Sequence, residues 1–133
     1  MSTVELTRDT FEKTVVDNEI VLVDFWAEWC GPCRQFAPTY EKASESHGDV
    51  VFGKVDTEAQ RELAAMANIT SIPTLMAFRD QILVFSQPGA LPPSALEQVI
   101  GAVKELDMDE VRRQLDEHEK GAHDQQGQQD PQA

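Results

Sequence analysis

Cys30 and Cys33 are the two cysteines of the chain, and their spacing is the first sign of a reaction. Three positions apart, they close too short a loop to hold a fold together. With 133 residues the chain can build a core without such a staple. In a reducing compartment a pair of this kind is catalytic or metal-binding. The segment Trp29-Cys30-Gly31-Pro32-Cys33 follows a strand-like run and opens a helix-like one. At a helix N-terminus the unpaired N–H groups and the macrodipole favour an anion. Cys30 should therefore ionise at lower pH than a free cysteine, and the thiolate is the nucleophile. Cys33 lies about one turn on, on the same face, so the two sulfurs can meet. Pro32 suits a first helical turn and stiffens the loop between them. In the reduced protein Cys30 is expected to be exposed, and Cys33 shielded until the protein is oxidised or unfolded. A structural zinc site usually takes four protein ligands, and only His47, His118 and His123 could complete one, none with matching spacing. Redox chemistry is the better reading, with no bound metal and with the histidines facing solvent.

The elements that would position this pair can be read on either side of it. Ile20 to Trp26, IVLVDFW, is a nearly continuous apolar run rich in β-branched and aromatic residues. It predicts a central strand in a sheet covered on both faces, with Asp24 as its one polar member. Before it, Thr7 can cap a helix over Arg8 to Val16, with Phe11, Val15 and Val16 inward. After the cysteines, Arg34 to Ser46 reads as a helix that Pro38 should kink. Val50 to Val55 is a second buried strand. Thr57 to Gln60 fits a capping box opening a helix through Met66. Thr74 to Phe78 and Ile82 to Ser86 read as a hairpin. Ser94 to Glu97 fits another capping box, opening a helix with Leu96, Val99, Ile100 and Val103 inward. The fold class is thus α/β, a central mixed β-sheet flanked by helices. Residues 1–106 form the domain. Asp107 to Glu110 could cap a short extra helix over residues 107–120, and residues 121–133, without apolar period, read as a disordered tail.

Charge narrows the partners. A formal net charge of -13 disfavours nucleic acid and anionic membranes, because nothing here neutralises a row of phosphates. From Asp107 onward eight acidic residues outweigh three basic ones. No apolar run reaches membrane-spanning length, and the acidic start has no signal-peptide core, so a cytoplasmic protein is the expectation, with a monomer as the default.

VDFWAEWCGPC, Val23 to Cys33, resembles the active-site signature of the thioredoxin family. Pro38 stands where thioredoxins carry a helix-kinking proline, and Lys54 where they carry a lysine facing a buried aspartate. Ser71-Ile72-Pro73-Thr74 is similar to the family's cis-proline loop, and Gly89-Ala90 to the pair before its last helix. The resemblance covers about Val4 to Leu106 and implies the thioredoxin fold and protein-disulfide reduction by dithiol–disulfide exchange. It implies that Cys30 attacks a client disulfide and that Cys33 resolves the mixed disulfide. Asp24 would accept the proton of Cys33. Gly31, Pro32 and Lys54 would tune the redox poise, and Trp29, Ile72, Pro73, Gly89 and Ala90 would line the client groove. It implies no bound cofactor besides the redox-active Cys30–Cys33 disulfide, with NADPH used only by the recycling partner, thioredoxin reductase. The sequence itself carries no Gly-x-Gly-x-x-Gly nucleotide fingerprint.

Plainer readings stand beside these. Asp24 could be a satisfied core carboxylate, Lys54 a solvated strand residue and Pro73 an ordinary trans proline. The tail could be a solvated spacer, which we favour, or an interaction arm. The chain could also be a non-catalytic binding module of the same fold, or an oxidase or isomerase relative. Against the latter stands Gly-Pro between the cysteines, where oxidising relatives typically carry a His. Three features depart from the family pattern: Arg79-Asp80-Gln81 lacks a turn glycine, Gln87-Pro88 precedes Gly89, and the chain continues after Leu106.

Overall fold

The computed structural model describes the backbone of residues 2–129 and the side chains of residues 2–118. In chain order the elements are β1 Thr3–Glu5, α1 Arg8–Asp17, β2 Ile20–Trp26, α2 Gly31–Ser46, β3 Val51–Asp56, α3 Arg61–Met66, β4 Thr74–Arg79, β5 Ile82–Pro88, α4 Pro93–Glu105 and α5 Met108–Gln129. The strands form one sheet in the order β1-β3-β2-β4-β5. β1, β3 and β2 run parallel, while β4 and β5 are antiparallel additions. This is the mixed, helix-flanked sheet that the sequence predicts.

Alternation along β2 assigns the two layers. Ile20 and Leu22 pack with Phe36 and Tyr40 of α2 and Leu96 and Ile100 of α4. Val21, Val23 and Phe25 pack on the other side with Leu6, Val15 and Leu63. Asp24, two residues beyond Leu22, therefore points to the α2 side. Its register partner on β3 is Lys54, which in turn stands beside Glu5 of β1. Gly53 permits the opposite face to close: a Cβ there would collide with the Leu6 side chain and crowd the Leu22 carbonyl at 3.3 Å.

Several local expectations change. β1 is a three-residue edge strand, too short to carry a period. Neither predicted capping box forms. α3 begins only at Arg61, because the Thr57 hydroxyl and amide both donate to the Trp26 carbonyl, at 3.0 and 2.9 Å, and Asp56 Oδ1 takes the amides of Glu58 and Ala59. α4 begins at Pro93 behind Pro92, leaving Ser94 inside the first turn, while Glu97 reaches His47 at 2.8 Å. His47 is not solvent-facing: it also meets the Lys104 ammonium at 2.9 Å and stacks over Phe52. His118 is exposed, and the side chain of His123 lies outside the described residues. Val16, expected inward, is exposed, one position past the Val15 that α1 buries.

Asp107 does cap α5, its Oδ1 accepting from the amides of Asp109 and Glu110 at 3.1 and 3.2 Å. Met108 is buried, and Arg112 pairs with Asp80 at 2.8 Å. The helix was expected to end at Lys120, but helical backbone continues to Gln129, since no proline interrupts it before Pro131. Residues 130–133 of the expected tail lie outside the described residues. No helix among the described residues is long and apolar enough to cross a membrane.

The β4–β5 turn explains itself in backbone terms. Arg79 pairs with Ile82, so Asp80 and Gln81 are the two turn residues, at φ 51° and 71°. Both occupy the left-handed region that a tight hairpin of this twist demands, and neither is glycine. Asp80 is held by its amide, which donates to the Glu19 carbonyl at 2.8 Å, and by Arg112. Gln81 has no such compensation. Gln81→Gly should therefore raise stability by about 0.5–1 kcal/mol, the left-handed penalty outweighing glycine's entropy. Gly53→Ala should lower it by about 1–3 kcal/mol through overpacking against Leu6. Thermal melts of both variants check this; a lower Tm for Gln81→Gly would contradict the turn argument.

Candidate active site

The cysteine pair sits where β2 hands over to α2. Cys30 is the N-cap of α2, with Gly31 and Pro32 exposed in the first turn behind it. The amide of Cys33 donates to Cys30 Sγ at 3.2 Å, the bond that an N-cap side chain makes to the third residue of a helix. The helix thus starts three residues before the predicted Arg34, because a sulfur serves as its cap. Cys30 and Cys33 are joined in a disulfide, with their Cα atoms 5.2 Å apart. Both are buried, at 4% and 3% exposure. The contrast between an open Cys30 and a shielded Cys33 is an expectation for the reduced protein; in this oxidised form both are buried. Both pack against Ala27, Trp26 and Ile72.

Their surroundings differ instead. Cys30 Sγ lies 3.7 Å from the Ile72 carbonyl oxygen. The Ile72–Pro73 peptide bond is cis, and the Pro73 carbonyl accepts from the Gly89 amide at 2.8 Å. Gly89 has φ 103°, a conformation that glycine adopts without penalty, and Ala90 follows it exposed. Cys30, Ile72, Pro73 and Gly89 are thus joined by contacts. Trp29 is 66% exposed beside them, its indole N–H donating to Glu58 Oε1 at 2.8 Å. Glu58 also pairs with Arg61.

Cys33 faces the other way. It borders a cavity of about 110 Å³ that Asp24, Trp26, Ala27, Glu28, Arg34, Ala37 and Lys54 also line. Asp24 is fully buried, and among the described residues neither of its carboxylate oxygens has a hydrogen-bond partner. Loss of hydration pushes its pKa up to about 7, with the Lys54 ammonium pulling weakly the other way. Lys54 Nζ stands 4.8 Å from the centre of the Trp26 ring. Among the described residues no ion pair joins Lys54 to Asp24. A roomier groove between α1, α3 and the β4–β5 hairpin, lined by Phe11, Met66 and Leu83, holds no thiol or hydroxyl.

Sequence reasoning missed Glu58, Arg34 and the cavity role of Trp26. Nothing in the spacing marks Glu58, which meets Trp29 only across the fold. Arg34, whose Nε donates to the Glu28 carbonyl at 2.8 Å, follows Cys33 directly and could have been suspected. Among the described residues no cluster of three or more His, Cys, Asp or Glu stands where it could hold a metal ion.

The Thioredoxin family model matches residues 2–102. The chain belongs to the thioredoxin family. A putative thioredoxin 2 of Streptomyces coelicolor is 64% identical over 121 residues, 91% of this chain and 90% of that relative. Thioredoxin 1 of Plasmodium falciparum is 43% identical over 90 residues, 68% and 86% of the two chains. Among solved structures, a thioredoxin from P. falciparum superposes with a TM-score of 0.71 at 40% identity, covering 75% of this chain and 98% of the other. Thioredoxin f from spinach chloroplast gives 0.72 at 32% identity, with 78% and 95% covered. The alignment to the Streptomyces thioredoxin covers more of this chain than its first 106 residues hold, so part of the extension aligns as well.

With that family and the Cys30–Cys33 pair, the protein is a thiol–disulfide oxidoreductase of the protein-disulfide reductase type, and the pair is its redox-active disulfide. Among thioredoxins, as here, the clients are proteins that contain disulfides.

The unpartnered Asp24 has a consequence for stability. Its folded pKa is raised above the value in the unfolded chain, so its contribution is fully present below about pH 4 and is lost as pH rises through about 7. Asp24→Asn should match the parent near pH 4 and exceed it above pH 7, by up to about 4 kcal/mol at 1.36 kcal/mol per pKa unit. Urea midpoints across that range measure it, and a difference independent of pH would contradict the buried acid.

Proposed function

We propose that Cys30 is the attacking sulfur of this reductase, Cys33 the resolving sulfur, and Asp24 the acid that takes and returns the proton of Cys33. The observation that carries this division is the asymmetry of the site. Cys30 lies at the helix cap against the Ile72 carbonyl, whereas Cys33 shares a cavity with the buried Asp24.

In the reduced enzyme the Cys30 thiolate is favoured by the N-terminal field of α2 and by the Cys33 amide aimed at its sulfur. It attacks one sulfur of a client disulfide; that S–S bond breaks and the client's other sulfur leaves as a thiolate. A mixed disulfide now joins Cys30 to the client. Cys33 gives its proton to the Asp24 carboxylate and attacks Cys30 Sγ, expelling the client's second thiolate. Two electrons have passed from the dithiol to the client, and the Cys30–Cys33 disulfide remains. The proton on Asp24 goes to the departing thiolate or to solvent. An acid with a pKa of about 7 exchanges a proton readily at neutral pH, whereas a thiol held among apolar groups does not ionise unaided.

The backbone edge at Ile72, beside Pro73, would pair with an extended client segment as an added strand. Trp29, Gly31 and Pro32 would wall it on one side, and Gly89 and Ala90 on the other. Gly31 and Pro32 would set the redox poise together with Lys54. Regeneration of the dithiol falls to an NADPH-dependent thioredoxin reductase, and the protein works as a cytoplasmic monomer. Its net charge fits neither nucleic acid nor an anionic membrane. Residues 1–106 form the catalytic domain; α5 docks on it through Met108 and Arg112, and the chain beyond Lys120 serves as a spacer.

Insulin reduction followed by turbidity tests the assignment. Cys30→Ser and Cys33→Ser should each lower turnover by several orders of magnitude, because each removes a covalent step. Only Cys33→Ser should accumulate mixed disulfides with clients, since the resolving attack is lost. Trapping by Cys30→Ser instead would reverse the two roles. Truncation after Lys120 should leave turnover unchanged, and a loss of client affinity would make the tail an interaction arm.

A further inference from the structure

We propose that Trp26 is a positioning residue of the reaction: the face of its indole holds the Lys54 ammonium off the Asp24 carboxylate and leaves the buried acid without an ion-pair partner. The inference rests on the reading of Asp24 as the proton acceptor, and it concerns how that acid is kept available.

The sheet register invites the opposite arrangement. Asp24 and Lys54 are Cα partners on adjacent parallel strands and point to one face. Strands lie about 4.8 Å apart, so a lysine side chain has ample reach to its neighbour's carboxylate. On its other side Lys54 partners Glu5. Yet among the described residues it pairs with neither carboxylate. Its ammonium stands 4.8 Å from the centre of the Trp26 ring, within the range over which an aromatic face attracts a cation.

Trp26 is placed for this by alternation, two residues beyond Asp24 on the same strand and face. Its indole N–H is buried and meets no acceptor among the described residues, so the ring is not anchored by its polar edge. What the ring contributes is its face. The other cation in the cavity wall, Arg34, is committed through Nε to the Glu28 carbonyl. The groups facing Asp24 are thus Lys54 from β3, Cys33, Arg34 and Tyr40 from α2, and Glu28 from the loop before it. Of these, Lys54 alone stands as its register neighbour. An ammonium bonded directly to Asp24 would hold the carboxylate ionised and lower its affinity for the Cys33 proton.

The test follows the carboxyl carbon of Asp24 by NMR titration in the full-length oxidised chain. Trp26→Leu should move its midpoint toward acid by about half a pH unit or more, as an opposite charge gains access. Trp26→Phe, which keeps an aromatic face, should move it less. Should Trp26→Leu not fold, Trp26→Met, without a ring, replaces it. In a Lys54→Met background the loss of the ring should move the midpoint little. An equal shift in both backgrounds would overturn the proposal, since the ring would then act only by excluding water, and no shift in either would overturn it too. The pH profile of insulin reduction separates this from the reading it rests on. If midpoint and profile move together, both stand. If the midpoint moves as expected while the profile stays fixed, Trp26 still positions Lys54, and the proton role of Asp24 is withdrawn.

Discussion

A strand covered on both faces has no solvated side for a polar residue, and β2 carries Asp24 in that position. Leaving a carboxylate there without a hydrogen bond is costly, and the chain relieves the cost by letting the group take up a proton. The same residue that weakens the core at alkaline pH is thereby held near neutrality as an acid. The rest of the site is arranged around this. Alternation puts Asp24 on the α2 side, α2 begins directly above it, and the third residue of that helix is Cys33.

The start of α2 does two jobs with one atom. A helix needs an acceptor for its first amides, and the side chain of Cys30 supplies it. The acceptor sulfur sits in the most positive part of the helix field, which is also what a thiolate requires. In the mechanism proposed above, the contact that caps the helix in the oxidised form would favour the Cys30 thiolate once the disulfide is reduced. The sulfur on the far side of the turn borders the cavity that Asp24 lines, and the near one meets the Ile72 carbonyl, so the two sulfurs have different surroundings.

Away from the chemistry, the edge of the sheet is tied down by charge. Arg79 donates to the carbonyls of Val103, Lys104 and Leu106 at the end of α4, and to Glu19 before β2. Arg112 of α5 holds Asp80 in the neighbouring turn. A hairpin with two left-handed residues and no glycine is thus fastened by residues from three other segments. The extension, through Arg112 of α5, is one of them.

Much of this was legible along the chain, because some constraints act over a few residues. The Cys-x-x-Cys spacing, the unbroken apolar run of β2, the Thr7 cap of α1 and the inward face of α4 depend on local periodicity, and the structure has them where the sequence put them. β1 was not legible, since three residues hold no period and the strand exists only because β3 offers an edge. The capping boxes at Thr57 and Ser94 failed for a related reason: Thr57 found a better acceptor in Trp26 across the fold, and Pro92 and Pro93 started α4 early. His47 was misread because Glu97 and Lys104 reach it from α4, fifty and more residues away. By itself the sequence determined which atoms can exchange electrons, because sulfur chemistry needs only type, spacing and a helix start. Only the tertiary structure decided that both sulfurs are buried when joined, that Asp24 has no partner, and that Lys54 lies on Trp26. Those depend on distances between strands and helices that no local pattern encodes.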